Sequence, residues 1–188
     1  MYCVSASRAE RAGSNLSGEG PRCGLAWGEM DGFVATFTNR LDQKGRVSVP
    51  ASFRAALTRE GFDGVYCYPA LDQPAIDAGG ARLKQAIDER LSVFETFSED
   101  YEILSTAFYG ASRVLKIDKD GRITLPDDLR EDAGITDSVV FVGQGFKFQI
   151  WAPEQFASRQ KDARARLKEV TRALGSRRAA PSSGGNGQ

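Results

Sequence analysis

The chain has 188 residues, of which 41% are hydrophobic, 25 are basic and 25 are acidic, and it contains no histidine. This composition is typical of one folded domain or two small ones, and no apolar run approaches the ~20 residues of a membrane-spanning helix. The absence of histidine removes the commonest general base and the commonest nitrogen ligand for metals. We therefore predict a protein that is not an enzyme, without catalytic residues, metal site, cofactor or small-molecule substrate.

The two ends of the chain differ in composition from the rest. Residues 1–29 are rich in serine, glycine, alanine and arginine and lack the apolar region of a signal peptide, so we predict a disordered N-terminal extension. Residues 176–188 have the composition of a disordered tail. The odd number of cysteines indicates a reducing compartment, and we predict a cytoplasmic protein.

The first folded elements are predicted from residue 33 onward. Alternating apolar and polar residues indicate strands over 33–42 and 46–49, separated by turn chemistry over 43–45. Pro50 suits the first position of a helix, where no backbone N–H is needed. A further strand is predicted over 64–68. The order is therefore strand, turn, strand, short helix, strand.

A helical connector follows over residues 83–110. Its apolar residues recur at steps of three and four, which is typical of a helix with one buried face. We predict two helices, which separate near residues 96–98. The residues with this spacing are Leu83, Ile87, Leu91, Phe94 and Phe97.

The same order of elements then returns. Strands are predicted over 112–118 and 122–125, a helix over 126–134, and two strands around the glycine-rich turn at 143–145. In the last of these strands, Phe146, Phe148 and Ile150 are predicted to face opposite to Lys147 and Gln149. A C-terminal helix is predicted over 155–175. From residue 159 onward the sequence holds eight basic and two acidic residues, so this helix could contact either DNA or a neighbouring subunit.

The strongest motif in the chain is an internal repeat. The sequence "LDQKGRVSVPASFR" at 41–54 returns as "IDKDGRITLPDDLR" at 117–130, and Asp118 lies 76 positions after Asp42. Both copies keep the aspartate, glycine, arginine and proline, together with the final arginine. Each half is too small to bury much core by itself, so we expect the two halves to pack together.

The repeated turn allows two interpretations. Gly45 and Gly121 permit a positive φ, while Asp42 and Asp118 can accept hydrogen bonds from the turn's backbone and fix its shape. Arg46 and its counterpart could then form a surface ion pair with the aspartate, which would stabilise the fold by only about 0–1 kcal/mol. Alternatively, the aspartate directs the guanidinium towards a phosphate or a guanine edge.

The two copies differ in charge. Residues 40–54 carry four basic residues against one acidic residue, whereas residues 116–130 carry four against four. Asp120 stands at the position that Lys44 occupies in the first copy. If these turns contact a polyanion, the first copy should contribute more to its binding, and we predict that Arg46→Ala lowers DNA affinity more than Arg122→Ala.

Two copies of strand, D-x-x-G-R, strand, proline and helix, with a helical insert and "FVGQGFKFQIW" after the second, resemble the MraZ family of the AbrB/SpoVT-like superfamily. The resemblance covers about residues 30–165. It implies an α+β fold built as a tandem pseudo-two-fold pair of swapped-hairpin AbrB-like β/α units. The first repeat would then span 35–82, the helical connector 83–110 and the second repeat 111–154. Because family members begin near Met30, residues 1–29 are either an extension or the product of a misplaced start codon.

The resemblance also implies a function. It indicates a sequence-specific transcriptional regulator in the cytoplasm and nucleoid, which binds short repeats in the promoter of the division and cell-wall gene cluster, including its own gene. Its partners would be double-stranded DNA and copies of itself in a ring-shaped homo-oligomer. We expect DNA contacts from Arg46, Lys44, Arg40, Arg122 and Lys119, with the turns shaped by Asp42, Gly45, Asp118 and Gly121.

Two alternatives stay open at this stage. In the first, the chain is a ring-forming interaction module whose Asp–Arg turns make inter-subunit ion pairs and bind no DNA. In the second, it is an AbrB-type antitoxin, although such proteins carry one copy of the fold and a separate toxin-binding tail.

Overall fold

The computed structural model describes residues 32–178, so the predicted extension over 1–29 and most of the predicted tail lie outside the described residues. The predicted elements occur in the expected order, together with one strand, β4, that the sequence did not indicate. The elements are β1 (Thr36–Arg40), β2 (Arg46–Ser48), α1 (Ala51–Arg59), β3 (Val65–Pro69), β4 (Ala75–Gly79), α2 (Ala81–Leu91), α3 (Glu99–Ser105), a π-helical turn (Thr106–Gly110), β5 (Arg113–Leu115), β6 (Arg122–Thr124), α4 (Asp127–Asp132), β7 (Ser138–Gly143), β8 (Phe148–Trp151) and α5 (Pro153–Arg178).

The strands form two antiparallel sheets, and each sheet combines strands from both copies of the repeat. Six strands form one sheet in the order β1-β7-β8-β4-β3-β5, while β2 and β6 form a separate ribbon. Within the larger sheet, β1 pairs with β7, β3 with β5, and β4 with β8. The strands on either side of each repeated turn therefore lie in different sheets and do not form a hairpin ladder with each other.

One aromatic cluster connects the two halves of the chain. Phe53 on α1 is fully buried, and its ring centroid lies 5.3 Å from that of Phe33, 5.0 Å from Phe148, 5.5 Å from Phe37 and 6.3 Å from Phe141. The rings of Phe141 and Phe148 come from β7 and β8, which follow the second copy of the motif and belong to the second half of the chain. The expectation that the halves pack together is confirmed, because they share this core.

Of the apolar residues at helical spacing in the connector, only the first three are buried. Leu83, Ile87 and Leu91 on α2 pack in a cluster with Tyr66 and Tyr68 of β3. Phe97 lies in the predicted break between the two helices, where its side chain is 84% exposed and its backbone has a φ of 70°. The helical spacing stops applying where α2 ends, and α3 starts only after Ser98, whose hydroxyl caps it by accepting from the Tyr101 N–H.

The alternation predicted for the last strand is present within β8, where Phe148 and Ile150 lie in the main core cluster. Gln149 is buried rather than exposed, because β8 lies inside the sheet between β7 and β4. Its amide donates to Asp77 Oδ1 at 2.7 Å, and Lys147 Nζ donates to the other oxygen of Asp77 at 2.7 Å. This network satisfies the buried polar groups. Phe146 precedes the strand and is exposed.

The C-terminal helix α5 extends far beyond its contacts with the sheet. Phe156 packs near its start against Trp151 in a small cluster, and every residue from 157 to 172 is exposed. Across residues 32–178, no helix has both the length and the apolar character needed to cross a membrane.

Candidate nucleic-acid interface

The two-stranded ribbon gathers both repeated turns into one surface. Val47 of β2 pairs with Ile123 of β6, and both side chains are buried in the core. Neighbouring residues of a strand point to opposite faces, so the other face of the ribbon presents four polar side chains, which are half-buried or exposed. These four side chains are Arg46, Ser48, Arg122 and Thr124.

Backbone hydrogen bonds extend the ribbon to the glycine of each turn. The Leu125 N–H donates to the Gly45 carbonyl at 3.0 Å, and the Val49 N–H donates to the Gly121 carbonyl at 2.9 Å. The two turns therefore lie at opposite ends of the ribbon. Arg46 and Arg122 occupy diagonal positions on it, which places their backbones about 7–8 Å apart.

The first turn is fixed by the carboxylate of Asp42. Its Oδ1 accepts from the backbone N–H groups of Lys44 and Arg46 at 2.9 Å each, and its Oδ2 accepts from Arg46 Nε at 2.7 Å. The side-chain bond from Arg46, followed by the backbone bonds, lowers the pKa of Asp42 to about 2. Gly45 has a φ of 71°, which a side chain would strain. The turn is thus held in shape while Lys44 is exposed.

The second turn repeats this geometry with one additional contact. Asp118 Oδ1 accepts from the backbone N–H groups of Asp120 and Arg122 at 2.9 Å each, and Oδ2 accepts from Arg122 Nε at 3.0 Å. The backbone bond from Arg122 is the main cause that lowers the pKa of Asp118. Arg122 Nη2 also contacts Asp120. One carboxylate therefore holds Arg46, whereas two hold Arg122.

The other predicted contact residues lie around the two ends of the ribbon. Arg40 is exposed at the end of β1, the edge strand of the larger sheet. The side chain of its neighbour Asn39 donates to the Ser48 carbonyl at 2.7 Å, which joins β1 to the ribbon. Lys119 is exposed on the second turn. The structure thus places all five predicted basic residues at or beside the ribbon.

Two features of this site were missed from the sequence. From the sequence we described the two turns as separate units, whereas the pairing of β2 with β6 joins them on one face. The equal spacing of the two copies was the available signal, but a repeat does not reveal which strands pair. The second missed feature is the position of Arg54 and Arg130, the final arginines of the two copies. Each lies against the glycine turn of the other copy.

The ribbon has the shape and chemistry of a surface that reads DNA. A two-stranded β-ribbon fits into the major groove of B-form DNA. A guanidinium can donate two parallel hydrogen bonds to a phosphate or to the edge of a guanine, and serine and threonine hydroxyls can contact either. Arg46, Arg122, Ser48 and Thr124 supply these groups from one face of the ribbon.

The fold and the site define a class: an α+β protein in which two copies of one motif share a basic β-ribbon. Comparison with known proteins then identifies the family. The family model described as "MraZ protein, putative antitoxin-like" matches residues 107–177. The transcriptional regulator MraZ of Methylocella silvestris is 50% identical over 152 residues, which span 81% of this chain and 93% of that protein. The protein of the same name from Xanthobacter autotrophicus is 49% identical over 154 residues, or 82% and 98% of the two chains. The chain belongs to the MraZ family, whose members in these comparisons are named as regulators of transcription and not as enzymes.

Proposed function

We propose that this protein is a sequence-specific DNA-binding regulator of transcription that inserts the β2–β6 ribbon into the major groove. The observation that carries the proposal is the placement of Arg46 and Arg122 on one face of that ribbon, each oriented by an aspartate. The names of the relatives support the regulatory role. The proposed DNA contacts are Arg46, Lys44, Arg40, Arg122 and Lys119.

The proposed target is the promoter of the division and cell-wall gene cluster, including the protein's own gene, and the proposed location is the cytoplasm and nucleoid. The target is read as short repeated DNA elements. One ribbon contacts few phosphates, and affinity for DNA rises with the number of phosphates neutralised. Several linked copies that bind successive repeats would gain affinity through effective concentration.

We further propose that the two repeats form swapped-hairpin units related by pseudo-two-fold symmetry, with boundaries at 35–82 and 111–154. The strand order supports this. If β1 is exchanged with β5, β3 with β7 and β4 with β8, the order of the sheet is the same when it is read from the opposite edge. The ribbon supports it too, since Val47 and Ile123 occupy equivalent positions in the two copies and pair directly.

The proposed assembly is a ring of identical subunits, and two exposed surfaces support it. On α5, Leu167 and Val170 are 61% and 55% exposed, and they lie among basic residues. Between α2 and α3, Val93 and Phe97 are exposed among acidic residues. A contact between α5 of one copy and this acidic surface of the next would bury both apolar patches and pair opposite charges. Such a head-to-tail contact forms a ring if its rotation closes.

Reversing the charge of α5 should disrupt this assembly. We expect Lys168→Glu with Arg172→Glu to reduce the particle mass measured by light scattering, because the acidic surface would then repel the helix. Adding Glu95→Lys and Glu99→Lys should restore the mass. Arg82→Glu with Arg90→Glu on α2 is the matched control and should leave it unchanged. A full-size particle with weaker DNA binding would instead assign α5 to DNA.

The proposed function is tested by removing DNA repeats one at a time. In a gel-shift titration with the DNA upstream of the protein's own gene, we expect affinity to fall steeply as repeats are lost. The total loss should be about 10²–10⁴-fold between the full array and one repeat. Equal affinity for a single-repeat duplex would contradict binding by several linked copies. A scrambled duplex of equal length and composition controls for nonspecific binding.

A further inference from the structure

The final arginines of the two copies, Arg54 on α1 and Arg130 on α4, exchange places across the ribbon. A Cβ atom added to Gly121 would lie 2.5 Å from Arg54 Nη1, and one added to Gly45 would lie 3.5 Å from Arg130 Cζ. Each guanidinium therefore packs against the turn of the opposite copy. Arg54 belongs to the first copy in sequence but to the second turn in space.

These two arginines differ in their partners. Arg130 Nη2 forms an ion pair with Asp127 on its own helix. The equivalent position in the first copy is Ala51, which has no carboxylate. The Nε of each arginine is buried without a hydrogen-bond partner, so the two do not differ there. They differ at the terminal nitrogens, because Arg130 Nη2 pairs with Asp127 and, within residues 32–178, no ion pair is found for those of Arg54. A guanidinium whose terminal nitrogens have no carboxylate partner can donate them to an external anion.

We infer that Arg54 forms a phosphate-binding site at the Gly121 end of the ribbon, whereas Asp127 neutralises the equivalent arginine at the Gly45 end. The inference rests on the proposed function and adds a contact to it. A phosphodiester of the DNA backbone matches this site, because a guanidinium binds phosphate through charged and directional hydrogen bonds. The contact positions the ribbon without reading sequence.

This exchange also changes the charge balance of the surface. By sequence, the first copy is strongly basic and the second is neutral. When the final arginines are counted with the turns that they contact, residues 40–46 have three basic residues against one acidic residue, and the Arg130–Asp127 pair adds no net charge. Asp128 is left out of this count because it pairs with Arg113, outside both copies. Residues 116–122 together with Arg54 have four basic against two acidic residues, namely Lys116, Lys119, Arg122 and Arg54 against Asp118 and Asp120. The two turns therefore carry the same net charge once Arg54 is counted with the second.

The difference between the two copies supplies the test. Ala51→Asp gives Arg54 the partner that Arg130 has, at an exposed position in the first turn of α1, where an acidic residue favours the helix. We expect weaker DNA binding by about tenfold and a salt dependence reduced by the equivalent of about one phosphate contact. The reciprocal change, Asp127→Ala, frees Arg130 and should increase both. Fluorescence anisotropy over a series of salt concentrations measures both quantities.

Two controls separate the site from general charge repulsion. Ala55→Asp adds the same charge at an exposed position of the same helix, and neighbouring residues on a helix do not face each other, so its effect should be smaller. Arg54→Gln should match Ala51→Asp, and combining the two should add little. Fully additive losses would assign the effect to repulsion of the DNA and would overturn the inference.

Two further outcomes are decisive. If Arg46→Ala weakens DNA binding while Arg54→Gln and Ala51→Asp change neither affinity nor salt dependence, only this inference fails. If no duplex binds the wild type, both proposals fail. Inorganic phosphate at constant ionic strength is the second probe. If it raises the melting temperature of the wild type but not of Ala51→Asp, and both bind DNA equally, the site takes free phosphate and the inference is overturned.

Discussion

Arg46→Ala is expected to lower DNA affinity by about 1–3 kcal/mol per bound turn, which is about 5- to 150-fold, and Arg122→Ala is expected to lower it less. Both arginines lie on the same face of the ribbon, so the difference comes from their partners. Arg46 is held by Asp42, whereas Arg122 is held by Asp118 and also contacts Asp120. A guanidinium that already has two carboxylate partners gains less from an additional anion.

The comparison needs each variant at the same oligomeric state. Gel-shift titrations of both variants should therefore be paired with particle masses from light scattering. Equal losses of affinity for the two variants would contradict the ranking. Loss of DNA binding with an intact particle favours the regulator, while collapse of the particle by Arg46→Ala favours the ring-forming module whose turns pair subunits. Arg82→Ala, on the exposed side of α2, is the control for removal of one surface charge.

Much of the fold could be predicted from the repeat and from local pattern. The turns follow from residue types alone, because an aspartate accepts from the backbone of the turn and the glycine three residues later takes a positive φ. Gly45 and Gly121 were identified on that basis. The short helices were predicted from the proline that precedes each of them. These features depend on neighbours in sequence, which the sequence displays directly.

Features that depend on distant partners could not be predicted in the same way. Each three-residue strand of the ribbon could pair with the strand before it across the turn, but the pairing across copies is the one observed. The strand β4 has the sequence "AIDAG" and is buried throughout, so it carries no alternation to detect. Gln149 alternates as a surface residue would, yet Asp77 from a distant strand satisfies it in the interior. The contact between Arg54 and Gly121 could not be predicted either, because the two residues are far apart in the sequence.

Phe53→Ala is expected to destabilise the fold by about 3–5 kcal/mol, the usual cost of truncating a buried phenylalanine. The Phe53 ring contacts aromatic rings from both halves of the chain, so the cavity would open in the core that the halves share. Surrounding side chains cannot easily fill it, because β7 and β8 are held inside the sheet by partners on both sides. Denaturant unfolding at several protein concentrations measures the change and separates it from dissociation of the oligomer.

Two substitutions calibrate this result. Leu129 is the equivalent residue of the second copy and is fully buried on α4, so Leu129→Ala should cost about 2–5 kcal/mol. Leu167 is exposed on α5, and Leu167→Ala should change the stability of the subunit by less than about 0.5 kcal/mol. A loss below about 1 kcal/mol for Phe53→Ala would contradict a shared core. Because α1 follows β2 directly and supplies Arg54 to the opposite turn, loss of this core should also remove the geometry of the ribbon. DNA binding should therefore disappear over the same denaturant range as the fold.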